Sequence, residues 1–332
     1  MIDLKVCPST LAEGYDTYSP AARKALFDGV AVSHYMDIPS PETDSREAKE
    51  AVKNAGRISL SGAQPKFSVV VGEDLSLRYT GQGELGHYIL KPRPNGYQLI
   101  NKEYCAANEH LTMQIASQVY KIETGANGLC FFSDDEAAYL IRRFDVHPGG
   151  KYQQEDFASI MGYTKANGGS DYKYCNGSYE ECAAVISRYV KANRVDILRF
   201  FRLILFNFIS LNDDAHLKNF SLINRGDEYR LSPSYDLINT SLHLLEPKIF
   251  ALDKGLFREG MYSDDIHSVG WTEFMEFGRR IGVPETLAKR EIIRFSQDSP
   301  MADSLIDRSF LSDRLKKEYR ESTNYRRKML RI

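Results

Sequence analysis

The chain changes its hydrophobic period partway along. From Arg57 apolar and polar positions alternate. Ile58-Ser59-Leu60-Ser61 leads to Gly62, and Lys66-Phe67-Ser68-Val69-Val70-Val71 is followed by a turn at Gly72-Glu73-Asp74. Residues 75–79, a second turn at Gly81-Gln82-Gly83 and His87-Tyr88-Ile89-Leu90-Lys91 complete the stretch. A period of two bounded by such turns predicts three or four short antiparallel strands. Residues 103–119 place Leu111, Ile115 and Val119 on one helical face, and strands are predicted at 128–132 and 138–144.

Beyond Asp145 the helical period takes over. Residues 179–192, 196–209, 271–281 and 284–295 read as helices. Only 220–224 and 229–231 read as strands there, turning at Arg225-Gly226-Asp227. Trp271, Phe274 and Phe277 are assigned to the core. At the start of the chain, Pro8, Pro20, Pro39 and Pro41 act as breakers around one predicted helix, 20–27, with proline in its first turn. Residues 40–53 read as a capped helix or a connector. Residues 163–178, rich in glycine and asparagine, read as a loop on a cleft rim or a disordered insert. The basic tail, 314–331, reads as a solvated helix face. The whole is an α+β, bilobal arrangement divided into 1–140, a β-rich N-lobe, and 141–332, a mainly helical C-lobe.

Composition changes this picture little. With 332 residues, 42% hydrophobic and 27% charged, and a formal net charge of −2, the chain gives no whole-chain electrostatic case for nucleic acid or membrane. Five cysteines form no CxxC pair, and Met1-Ile2-Asp3-Leu4-Lys5 lacks the opening of a signal peptide, so a cytoplasmic location is expected. The apolar run 197–209 is broken by Arg199, Arg202 and Asn207 and is too short to span a bilayer.

The chemistry concentrates in Asn212-Asp213-Asp214-Ala215-His216-Leu217-Lys218-Asn219-Phe220, followed by Ser232-Pro233-Ser234-Tyr235-Asp236. An Asp, an Asn five residues on, and a second Asp after a hairpin is the spacing of a phosphotransferase's catalytic acid and its two Mg²⁺ ligands. Read alone, the same cluster also suits a solvated loop. Gly62, between two strands, would let backbone N–H groups approach phosphates, or it is a simple hairpin turn. Lys91 ends a strand after an apolar run, as a phosphate-binding lysine or a surface lysine would. Glu109 on the following helix could pair with it, with Glu103 as competitor.

Seven segments in order over about 56–240 resemble the HipA family of serine/threonine kinase toxins. They are Ile58-Ser59-Leu60-Ser61-Gly62-Ala63-Gln64-Pro65-Lys66, Ile89-Leu90-Lys91-Pro92, Asn108-Glu109-His110, Arg142-Arg143-Phe144-Asp145, Gln154-Glu155-Asp156, Asp214-Ala215-His216-Leu217-Lys218-Asn219-Phe220 and Pro233-Ser234-Tyr235-Asp236. With some 55 residues before the loop, and with Gly14-Tyr15-Asp16-Thr17-Tyr18-Ser19 at its opening, the chain is most similar to the short HipT form of three-component systems. The resemblance implies a protein-kinase-like fold with a kinase core at about 56–300, and ATP and Mg²⁺ as cofactors.

It further implies Asp214 as catalytic base, Asn219 and Asp236 as Mg²⁺ ligands, and Lys91, paired with Glu109, on the nucleotide phosphates. Ser61, Gly62, Ala63, Gln64, Pro65 and Lys66 would cover ATP, Arg142, Arg143 and Phe144 would form the hinge, and His216, Lys218 and Tyr235 would line the ATP site. Ser59 and Ser61 match autophosphorylated serines. The implied partners are a HipB-like DNA-binding antitoxin, a small HipS-like protein and an aminoacyl-tRNA synthetase as substrate, with DNA met only through the antitoxin and no membrane. Two departures stand out: the Asp213-Asp214 doublet where one acid is usual, and Arg142 where full-length members have Glu.

The competing reading is a nucleotide-binding regulatory pseudokinase that bridges an antitoxin and DNA. It has no need of both base and metal ligands. A His-Asp metal phosphohydrolase would need further histidines at ligand spacing, and His34, His87, His110, His147, His243 and His267 offer none.

Overall fold

The computed structural model describes residues 4–41, 65–94, 99–169, 171–261 and 268–332. The alternating segment forms β1 (Phe67–Val71), β2 (Leu77–Tyr79) and β3 (Tyr88–Lys91), joined by β4 (Asn127–Phe131) and β5 (Ala137–Arg142) in an antiparallel sheet of order β2-β1-β3-β5-β4. Both faces of this sheet are covered, so its strands are apolar on both sides rather than half-solvated.

On one face lies the N-terminal segment with α1 (Pro20–Phe27). Ser19 caps this helix by accepting from the Ala22 N–H, and Asp28 ends it in the left-handed region at φ 53°. The Tyr18 hydroxyl donates to the Leu129 carbonyl at 2.7 Å, and the Tyr88 hydroxyl to the Leu26 carbonyl at 2.9 Å. These contacts dock a segment whose sequence alone predicted little beyond one helix. Residues 42–53 of the expected connector lie outside the described residues.

On the other face packs α2 (Cys105–Gln118), entered through the short 3₁₀ turn Lys102–Tyr104. Every residue from Cys105 to Ala116 is buried. A helix that is buried all round must be covered on its back; the later helix Pro300–Arg308 packs on it, and Tyr319 of the C-terminal helix reaches its Thr112. Because of this, the larger apolar cluster runs without a break from Leu111, Leu129 and Tyr139 into Phe200, Phe206 and Leu315.

The second half contains α3 (Phe157–Ile160), α4 (Lys165–Gly168), α5 (Tyr172–Cys175), α6 (Tyr179–Tyr189) and α7 (Asn193–Ile209), then α8 (Trp271–Arg280), α9 (Glu285–Ser296), α10 (Pro300–Arg308) and α11 (Asp313–Met329). Phe274 and Phe277 are fully buried while Trp271 is half-buried. Between β5 and α3 run β6 (Val146–His147), β7 (Gly150–Lys151) and β8 (Gln154–Asp156). The last of these pairs with β9 (Ser221–Asn224), which forms a hairpin with β10 (Tyr229–Leu231).

Two expectations are corrected. Residues 163–178 are not plain loop, because they hold the single-turn helices α4 and α5, with Asn167 closing a capping box on Thr164. The tail is helical but not a free solvated face. Leu315, Tyr319, Thr323, Arg326 and Arg327 of α11 are buried, the Tyr319 hydroxyl lies 3.0 Å from the Thr112 hydroxyl on α2, and the Arg326 guanidinium stacks on Phe208. Its docking is tight enough that a Cβ at Gly270 would lie 2.2 Å from the Met329 carbonyl oxygen. No helix among the described residues is long and apolar enough to cross a membrane.

Candidate active site

Four segments of the chain bring four ions together in the cleft. Lys91 ends β3, Glu109 faces it from α2, and Asp236 follows β10. Lys66 stands just before β1. The Lys91 Nζ lies 2.5 Å from Glu109 Oε1 and 2.6 Å from Asp236 Oδ1, and the Lys66 Nζ lies 3.1 Å from Asp236 Oδ2. Glu103, the competing partner, is exposed on the 3₁₀ turn. Two ammonium and two carboxylate groups cancel, which is the condition for burying them.

Burial pulls the Lys91 ammonium toward neutrality, but Asp236 and Glu109 outweigh it and leave its pKa above the ordinary lysine range. Burial likewise opposes ionisation of Asp236, yet Lys66 and Lys91 hold it well below the usual carboxylate range. Burial leaves Glu109 raised and Lys66 lowered, since each has one close opposite charge rather than two. Asp236 also sits at φ 56°, a backbone conformation that costs a non-glycine residue energy and that clusters at functional sites.

Asp214 lies at the open end. Its side chain is 43% exposed, with Oδ1 accepting from the Tyr174 hydroxyl at 2.6 Å. Asp213 is used differently: its Oδ2 accepts from the Lys248 N–H at 2.8 Å, fixing the chain beyond Asp236. Asn219 donates from Nδ2 to the Asp214 carbonyl at 2.8 Å, which turns its own amide oxygen into the group left to accept or ligate. The β9–β10 ladder continues through the Ser232 N–H to the Ser221 carbonyl at 2.9 Å. This closure brings the Tyr235 hydroxyl 3.0 Å from the Lys218 carbonyl.

Lys66, Lys91, Glu109, Asp213, Asp214, Tyr174 and Asp236 line one cavity of about 640 Å³. The other expected site residues take other positions. His216 is 1% exposed behind Tyr174, with its Nε2 3.8 Å from Asp214 Oδ1, and burial, despite Asp214, lowers its pKa to about 4. Lys218 pairs with Asp156 at 2.5 Å. The Arg142 side chain faces α1, bonded to Asp28 at 2.7 Å, and Arg143 bonds Asp145 at 2.5 Å, so neither guanidinium lines the cavity. Strand alternation explains the outward turn of Arg142, since Ile141 beside it points into the core. Phe144 faces Tyr235, with ring centroids 5.7 Å apart. Pro65 precedes Lys66, while Ser59, Ser61, Gly62, Ala63 and Gln64 lie outside the described residues.

Sequence reasoning gave no role to Asn212 or Tyr174. The Asn212 Oδ1 accepts from the Asp214 N–H at 3.2 Å while its Nδ2 donates to the Asp236 carbonyl at 3.3 Å, tying the two acids together. Its place directly before the acidic pair was the available signal. Tyr174 carried none, because only the fold brings it to Asp214.

A wall of two ammonium groups beside oxygen donors fits a polyphosphate with a hard cation. Among the described residues no group of three or more His, Cys, Asp or Glu could hold a metal unaided.

A five-stranded antiparallel sheet with one helix against it, set over a mainly helical half with the acids between them, is a protein-kinase-like fold. The chain belongs to the HipA-like C-terminal domain family, whose model matches residues 58–302. It is 28% identical over 272 residues to "Putative kinase" of Haemophilus influenzae, covering 76% of each chain. It is 31% identical over 214 residues to "Putative kinase Y4dM" of Sinorhizobium fredii, covering 60% of this chain and 49% of that one. Among solved structures, HipA in the Shewanella oneidensis complex of HipA, HipB and operator DNA superposes with a TM-score of 0.66 at 19% identity, over 88% of this chain and 73% of that one. The proinflammatory kinase CtkA of Helicobacter pylori matches with a TM-score of 0.50 at 14% identity, over 80% and 90%.

Proposed function

We propose that the protein is a Mg²⁺- and ATP-dependent serine/threonine kinase of the toxin type. The observation that carries this reading is the neutral quartet Lys66, Lys91, Glu109 and Asp236 set in one cleft with the open carboxylate of Asp214. Asp214 takes the proton of the acceptor hydroxyl, and Lys91 and Lys66 meet the nucleotide phosphates, with Glu109 holding Lys91 in place. By the family resemblance, residues 61–66 would cover the nucleotide. The backbone at Arg142 and Arg143 forms the hinge, and Phe144 and Tyr235 wall it. Lys218 and His216 support the site from behind, through Asp156 and Tyr174. Asn219 and Asp236 hold magnesium, which when bound neutralises charge on the phosphates.

The acceptor is a serine or threonine of a protein, with an aminoacyl-tRNA synthetase as the substrate suggested by the family. Ser59 and Ser61 are the proposed autophosphorylation sites, where a phosphate would add about −1.5 to −2 charge beside the nucleotide. The structural likeness to HipA in its complex with HipB and operator DNA supports a DNA-binding antitoxin as partner. A small HipS-like protein as second partner and a cytoplasmic location complete the proposal.

The test is incubation of the purified chain with γ-labelled ATP with and without Mg²⁺, followed by phosphosite mapping. Mg²⁺-dependent label on serine, lost in Asp214→Asn, is expected. ATP binding without any phosphotransfer would favour the regulatory pseudokinase.

A further inference from the structure

Tyr174 stands where an acceptor hydroxyl must stand. Its phenol donates to Asp214 Oδ1 at 2.6 Å, within the heavy-atom reach of a general base for the proton it removes. The same tyrosine lines the cavity with Lys66, Lys91 and Asp236, the groups that face nucleotide phosphates. Burial, and then the charge of Asp214, raise the phenol's pKa, so it holds its proton at neutral pH. The ring is held rather than dangling. It stands edge-on to His216 with centroids 4.9 Å apart, the Lys173 ammonium lies 4.7 Å from its centroid, and its carbonyl accepts from the Asp253 N–H at 3.1 Å.

We infer that Tyr174 is an intramolecular phosphoryl acceptor, a self-modification site on the insert between β8 and α6. The inference rests on the proposed kinase chemistry. Tyr174 Oη attacks the γ-phosphorus of a nucleoside triphosphate in the cleft, and an Oη–P bond forms. The bond from the γ-phosphorus to the β–γ bridging oxygen breaks, and its electron pair leaves with the diphosphate. The phenolic proton goes to Asp214. Each chain accepts one phosphate here, and the product cannot return to its former place, because a phosphate carrying about −1.5 to −2 charge is repelled by the Asp214 carboxylate. The base is then left free for another hydroxyl.

The experiment uses the full chain with Mg²⁺ and ATP at two protein concentrations tenfold apart, followed by peptide mass spectrometry. Phosphate on Tyr174, rising with a first-order rate constant that is the same at both concentrations and absent from Tyr174→Phe and Asp214→Asn, is expected. Phosphoserine with an unmodified Tyr174 would overturn the inference and leave the kinase reading standing. A rate constant that scales with protein concentration would overturn its intramolecular character. No phosphate on any residue would overturn both.

Discussion

The two ends of the cleft are built on opposite principles. At the inner end, the ammonium of Lys91 and the carboxylate of Glu109 are 4% and 3% exposed, and their charges are balanced before any ligand arrives. At the outer end Asp214 is 43% exposed and held by one hydroxyl. The contrast teaches that groups which must keep their charge are paired and dry. The acid proposed to take a proton stays open to the cleft. The inner end also joins the halves of the molecule, since β3, α2 and the segment after β10 meet there.

The largest effect expected from breaking this contrast is on phosphotransfer. Asp214→Asn is expected to lower the turnover of labelled ATP by about 10²–10⁴, the usual worth of a positioned general base. Asp213→Asn should change it little, because Asp213 is occupied with the Lys248 N–H. Equal losses in the two variants would dissolve the distinction between them.

Next comes stability. Lys91→Met leaves Glu109 buried without its cation, and breaking a buried pair in this way costs roughly 3–5 kcal/mol. Lys66→Met should cost less, because Asp236 keeps Lys91. Urea melts that ranked the two in reverse would show that the quartet is not organised around Lys91.

His216 sharpens the comparison through pH. Its folded pKa of about 4 lies below the ordinary histidine value of 6.5, so its contribution to stability is complete above about 6.5 and is lost as pH falls from there towards 4. Thermal melts across that window should decline more steeply for the parent chain than for His216→Gln. His110, also buried and lowered to about 4, keeps part of the slope in both. The smallest effect expected is from Lys218→Ala. The Lys218–Asp156 pair is 23% exposed on each side and should be worth only about 0.2–1 kcal/mol. A loss in melts comparable to that of Lys91→Met would erase the difference between dry and wet pairs.

Much of the fold could be read along the chain. The alternation in 66–71, 75–79 and 87–91 corresponds to β1, β2 and β3, and the helical period in 179–192 and 196–209 corresponds to α6 and α7. The period failed where local signals mislead. Glycine and asparagine in 163–178 announce a loop, but local capping at Thr164 and packing behind Asp214 fold it into α4 and α5. In the tail, charge every few residues announces solvent, yet long side chains such as Arg326 bury their stems and stack on rings while the apolar stripe of Leu315 and Tyr319 docks. Of the site, the acid-and-amide spacing and the lysine at a strand end stood in the sequence. The choice of Glu109 over Glu103 came from the family resemblance and not from the helical period, which leaves either carboxylate able to meet Lys91.

By itself, then, the sequence determined the longer strands and helices, since their periods are set by local backbone geometry. It also determined the seven motifs of the family and the residue types able to do the chemistry. Tertiary structure decided which of these touch. Lys66 and Asp236 are 170 residues apart and bonded at 3.1 Å, and Tyr174 reaches Asp214 across 40 residues. Such pairings follow from the burial of α2 and the closure of the β9–β10 hairpin, and long-range packing of that kind leaves no period in the chain.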